Sequence, residues 1–232
     1  MYISKNTVSG LNFVSVLDRH VLPEAVKMVK NNEVDGIAFN FIKNWPENDI
    51  DIIADCPNIK FLYIHYAPFD YSVINKLENL VQLGIDNDDR NEIIFTNKPN
   101  LKYVSLFWRT KAKSLFECRQ LENLWIGKYN GMDLNEFKNF SKLNTLRINT
   151  GSIVKLTGIE KLINLQNLYL AQTNKLIDIS GLETLSNLKH LTIDNCKRIE
   201  NIGIVQNLIN LEYLDIMGTT PKLLDGKNSK HF

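Results

Sequence analysis

LQNLYLAQTNKLIDISGLETLSN, residues 165–187, runs straight into LKHLTIDNCKRIENIGIVQNLIN, residues 188–210. Aligned on their first letters, both place aliphatic residues at positions one, four and six: Leu165, Leu168 and Leu170, then Leu188, Leu191 and Ile193. Leu211, Leu214 and Ile216 repeat the spacing. Towards the N-terminus it returns every 20 to 25 residues as Leu143-Leu146-Ile148, Leu121-Leu124-Ile126, Leu101-Val104-Leu106, Leu80-Leu83-Ile85, Ile59-Leu62-Ile64 and Val34-Ile37-Phe39, nine copies in all. Self-similarity at such a period marks a solenoid. A unit this short cannot bury its own apolar edge, so stability comes from stacking on its neighbours. Nine copies exceed the roughly three that stacking requires.

Within each copy the segment x-L-x-L predicts a strand, whose side chains alternate between two faces. Positions four and six enter the core, and positions three, five and seven face outward. Stacked copies make a parallel sheet, expected on the concave side. After each strand, apolar residues such as Leu176, Ile179, Leu182 and Leu185 recur every third place. That interval predicts a 3₁₀ or short helical return on the convex side.

The stretches 165–187 and 188–210 resemble the short leucine-rich repeats of bacterial internalins and of the phosphatase-regulatory subfamily. The resemblance implies an α/β leucine-rich repeat solenoid and a protein-binding role, with no particular partner. The family places Asn or a small polar residue at position nine, where it bonds the turn backbone. Thr173, Cys196 and Thr219 conform; Ala67, Asp88, Arg109, Tyr129 and Gly151 do not. The turns from Ala67 to Gly131 are therefore expected to be irregular.

The expected organisation is an N-terminal cap at 1–33, repeats at 34–219 and a tail at 220–232. In the cap, Leu22, Val26 and Val29 recur at helical spacing behind Pro23, which a first helical turn tolerates. The tail places Leu223 and Leu224 where they would fold over the last repeat. The first residues lack the apolar core of a secretory leader. No run of 18 apolar residues suggests a membrane span. The sequence reading is therefore a cytoplasmic chain without membrane attachment.

Basic and acidic side chains number 27 and 26. Nucleic-acid binding relies on phosphate neutralisation by a basic face, and the balance argues against it. Cys56, Cys118 and Cys196 fall in separate repeats, with no C-x-x-C pair, and read as packed thiols. Lys outnumbers Arg 21 to 6 and Asn occurs 29 times, which suggests the codon bias of an AT-rich, bacterial genome.

No constellation for catalysis, cofactor or metal emerges. The acidic run from Asp86 to Glu92 fails as an EF-hand loop, because Arg90 and Asn91 take positions five and six. The four histidines show no i, i+4 pair. No G-x-S-x-G and no phosphate-binding glycine loop is present. The expectation is a non-enzyme.

The outward face is more informative. Its positions three, five and seven include Phe61, Tyr63, Tyr103, Phe107, Trp125, Tyr169 and Tyr213, whereas aromatics form 9% of the chain. Aromatics favour strands in any protein, but rings that point to solvent suit binding anchors. Trp108 stands next to Phe107. His65, Asp86, Arg147, His190, Asp194 and Asp215 share the face, with Lys128 at its edge. The expected partner-binding set is Phe61, Tyr63, His65, Tyr103, Phe107, Trp125, Arg147, Tyr169, His190, Asp194, Tyr213 and Asp215.

The leading expectation is a stoichiometric inhibitor of the immunity type that neutralises a toxin or enzyme, a partner with a basic patch being complementary. The alternatives are a secreted bacterial effector that captures a host protein, and a cytoplasmic adaptor.

Overall fold

The computed structural model describes residues 1–40, 50–65, 70, 72–86 and 91–219. It falls into two compact units, Met1–Cys118 and Arg119–Phe232. The tail residues Leu223 and Leu224, and the turn residues Ala67 and Asp88, lie outside the described residues.

In the first unit, β1 (Tyr2–Lys5) pairs antiparallel with β2 (Asn12–Val16). The parallel strands β3 (Gly36–Asn40), β4 (Phe61–His65), β5 (Gln82–Asp86) and β6 (Tyr103–Phe107) follow in chain order. Between β2 and β3 runs α1 (Leu22–Lys30), which buries Leu22, Ala25, Val26 and Val29 with Pro23 at its start. This is the helix that the apolar spacing predicts.

The hairpin ahead of that helix departs from the helical cap expected over the first 33 residues. Strand β2 continues the sheet in parallel register with β3, pairing Val14 with Ile37 and Val16 with Phe39. Val14 and Val16 are fully buried. Leu11, Val14 and Val16 thus form a tenth copy of the spacing, with valine at positions four and six. Strand β1 then reverses direction through a turn in which the Asn6 amide donates to Leu11 O at 2.8 Å.

The second unit is more uniform. Strands β7 (Asn123–Gly127), β8 (Thr145–Asn149), β9 (Asn167–Ala171), β10 (His190–Asp194) and β11 (Tyr213–Met217) are parallel and pair in sequence order. Leu146, Leu168 and Leu191 share one register row, and Ile148, Leu170 and Ile193 share another. All six are at most 1% exposed. Packing of one repeat on the next, not strand propensity, therefore fixes the register.

The returns are 3₁₀ turns, such as Asn135–Asn139, Ile159–Lys161 and Leu182–Thr184. Leu176, Ile179, Leu182 and Leu185, spaced three apart along one such return, are all buried.

Two further ladders join the repeats. Each strand of the second unit is followed by a left-handed residue: Lys128, Thr150, Gln172, Asn195 and Gly218, with φ between 52° and 58°. The amides of the first four donate to the strand-end carbonyls of the next repeat, Asn149, Ala171, Asp194 and Met217, at 2.8–2.9 Å. Just before the first leucine, Asn164, Asn187 and Asn210 donate to the carbonyls of Ser141, Ile163 and Ser186 at 2.7–2.8 Å. In the first unit Asn79 makes the equivalent bond to Pro57. The asparagine abundance therefore has a structural use at these sites, beyond the codon bias read from composition.

The turn at Tyr129, expected to be irregular, keeps this backbone pattern through Lys128. Its ring is buried edge-on against Phe137, at 5.2 Å between centroids. The hydroxyl lies 3.1 Å from Glu136 Oε2 and 3.3 Å from the Asp133 carbonyl. Burial, with the Glu136 carboxylate beside it, raises the phenol pKa. An aromatic plug here replaces the small polar residue of the family pattern.

Candidate functional site

Alternation along each strand turns positions three, five and seven away from the leucine core, and most of the expected residues stand there half-buried or exposed. In the first unit they divide. Phe61 is 1% exposed. Its ring stacks on Phe13 with centroids 4.6 Å apart and planes 11° from parallel. Gly36 lies in register between them. A Cβ at Gly36 would sit 1.8 Å from the Phe61 carbonyl oxygen, so only glycine leaves room there. Phe61 is thus closed over from the neighbouring strands, and this corrects its expected place on an accessible binding face. Trp108 packs on Phe116 at 5.0 Å, whereas Tyr103 and Phe107 stay half-buried on the outward face.

Tyr63 and His65 converge on one carboxylate. The Tyr63 hydroxyl donates to Asp86 Oδ2, and His65 Nδ1 lies 3.0 Å from the same oxygen. The Tyr63 ring reaches Asp86 by lying over Gly84, where a Cβ would fall 2.0 Å from Tyr63 Cδ2. Asp86 is thus engaged by the sheet face itself. Residues 87–90 of the acidic run lie outside the described residues.

The second unit places its residues in rows. Trp125, Arg147 and Tyr169 occupy one register row on β7, β8 and β9. The Arg147 guanidinium lies over the Tyr169 ring, 4.5 Å from its centroid. The interval between the two aromatic anchors is thus filled by a cation. Beside Arg147 on β8, Asn149 Oδ1 is buried without a hydrogen-bond partner among the described residues, as is His190 Nδ1 on β10.

Towards β11, the His190 and Tyr213 rings approach to 6.1 Å. The Tyr213 hydroxyl donates to Asp215 Oδ2 at 3.4 Å. Asp194 Oδ1 accepts from Asn195 Nδ2 at 2.7 Å. Lys189 and Glu212 pair with each other at 2.9 Å just before their strands.

The three cysteines are free and buried. Burial raises the pKa of Cys56 and Cys196, and pushes Cys118 up to about 11. A buried thiol held protonated in this way is a packing group and a poor nucleophile. No described helix is long and apolar enough to cross a membrane.

No protein-family profile and no curated protein matches the sequence. Solved structures do. An internalin, InlF, from Listeria monocytogenes aligns at 19% identity over 80% of this chain and 62% of its own, with a TM-score of 0.57. The TLR13–ssRNA13 complex aligns at 18% identity over 87% of this chain and 34% of TLR13, at 0.64. The leucine-rich repeat domain of the type III effector XCV3220 (XopL) aligns at 13% identity over 82% and 70%, at 0.58. The chain therefore spans about a third to two-thirds of these proteins. At such identities the likeness is one of fold, and the fold is the leucine-rich repeat solenoid.

Proposed function

We propose that this chain is a non-enzymatic binding module that engages one protein through the outward face of its strands, as a stoichiometric inhibitor of the immunity type acting on a toxin or enzyme. One observation carries the reading: Trp125, Arg147, Tyr169 and Tyr213 stand half-buried or exposed on a face opposite the leucine core. Aromatic side chains so placed give large, stiff contacts at small entropic cost. A stack of repeats held by backbone rungs orders little on binding, which favours blockade by occupancy. A cytoplasmic location belongs to the same proposal.

One observation favours a second reading. The XopL neighbour is the leucine-rich repeat domain of a type III effector, and the same face would serve a delivered protein equally well. A secretion assay with and without residues 1–33 separates the two. Against an RNA partner, such as the one in the TLR13 complex, stands the near-neutral charge of this chain.

The test is affinity capture from the native cell, followed by titration of the captured protein against Trp125→Ala, Tyr169→Ala and their double variant. Folding should hold within about 0.5–1 kcal/mol, as at surface sites. At least one single variant should weaken binding by about 2 kcal/mol or more. Full-strength binding by all three would make the aromatic face incidental.

A further inference from the structure

The outward face of the second unit carries its charges in a fixed order. Arg147 is exposed on β8, with its guanidinium carbon 4.5 Å from the centroid of the Tyr169 ring. The planar guanidinium fork of an arginine matches a carboxylate. Two strands further on, Asp194 occupies the outward face of β10, and Asp215 occupies that of β11. Hydrogen bonds from Asn195 and Tyr213 hold the two carboxylates. Among the described residues no carboxylate pairs with Arg147, and no lysine or arginine pairs with Asp194 or Asp215. Lys189, just before β10, is engaged by Glu212.

Resting on the binding-face reading above, we infer that this surface selects a protein segment bearing one carboxylate and one cationic side chain. The carboxylate seats on Arg147, and the cation seats between Asp194 and Asp215. Strands about 4.8 Å apart put the two seats on the order of 10 Å from each other. Neither charge alone sets the fit. A uniformly basic partner meets Arg147, and a uniformly acidic one meets the two aspartates, and such like-charge meetings reject wrong partners. The sheet holds the spacing rigid, because β8 to β11 are bound rung to rung.

The probes are three blocked synthetic peptides, identical except at two positions about three residues apart, a span of about 10 Å in extended chain. One carries Glu and Arg, one Glu twice and one Arg twice. In calorimetric titrations against the full chain, the mixed peptide should bind about tenfold more tightly than either uniform one. That preference should shrink at high salt as the charges are screened. Arg147→Glu should shift preference to the double-Arg peptide, and Asp194→Lys with Asp215→Lys to the double-Glu peptide, with melting curves reporting that each variant stays folded. Equal binding of all three peptides, lost in Trp125→Ala, would overturn the charge order and leave the aromatic face standing. Binding of none at millimolar peptide would also overturn it, while affinity capture decides the binding-face reading independently.

Discussion

The two units solve the same stacking problem by different means. In the second, the joints between repeats are backbone rungs: left-handed residues at the strand exits and asparagines at the strand entries. Its outward side chains contact one another, Arg147 over Tyr169 and Tyr213 beside His190, and take no part in these backbone rungs. In the first, outward side chains take part in the joints: Phe13 closes on Phe61 over Gly36, and Tyr63 crosses Gly84 to reach Asp86. Regularity in the scaffold leaves the face at liberty to bind. Irregularity is settled with residues that would otherwise have been available to a partner.

The largest test of this contrast asks whether the regular half really depends on its leucine rows. Leu168→Asn or Leu191→Asn should remove about 2–5 kcal/mol of packing and leave an amide that costs about 1–3 kcal/mol more. Both positions are fully buried. An unchanged thermal midpoint in either variant would break the assigned register.

In the irregular half, Gly84→Ala should cost about 1–3 kcal/mol, because its methyl group takes the space of the Tyr63 ring. Added to Tyr63→Ala, the same change should cost much less. A cycle showing no coupling between the two would refute the account of this joint.

Lys98 sharpens the contrast with a buried charge. It is 3% exposed, with Nζ 2.9 Å from Asn97 Oδ1. Burial lowers its pKa to about 8 from an ordinary 10.5, against the opposing pull of Glu78. Below pH 8 the amine is charged in both states and the desolvation cost is complete. Between about 8 and 10.5 the unfolded chain holds more protons, so rising pH relieves that cost. Cys118, raised to about 11, acts in the opposite sense above pH 9. Lys98→Met should therefore stabilise the protein by about 1–3 kcal/mol at pH 7. Its advantage over the parent should shrink as pH rises from 8 to 10.5, and denaturant titrations across that range would show it. A parent protein more stable than the variant at pH 7 would contradict this.

The smallest effect belongs to the asparagine rungs. Asn187→Ala should lose about 0.5–1.5 kcal/mol, the net worth of one hydrogen bond. Urea midpoints that do not move would mean that the rung is ornamental and that stacking alone sets the second unit's stability.

The leucine rows, the strand faces, the 3₁₀ returns and the α1 helix were legible because each is a periodicity, and periodicity survives in a bare sequence. Strand β2 is hidden because Leu11, Val14 and Val16 lead into an α-helix where most other copies have a 3₁₀ return, although the spacing to Val34 is ordinary. Strand β1 has no signature, since four residues of a short hairpin owe their place to a partner strand. Phe61 was assigned to the correct sheet face, but alternation states which way a side chain points and is silent about what covers it. The ring that covers it comes from β2, two strands away across a glycine. Arg147 was placed on the face, whereas its stacking on Tyr169 depends on side-chain torsions that a pattern does not encode.

Strand β1 has a consequence for association. A stack of parallel repeats is a head-to-tail joint in waiting: its front edge suits the back edge of another copy, the arrangement from which open filaments grow. By running antiparallel, β1 gives that front edge the wrong polarity for an incoming strand of the repeat type. It is also only four residues long, and short edge strands are poor templates for recruitment. Beside β2, an antiparallel strand thus occupies the place where a parallel repeat strand would otherwise pair.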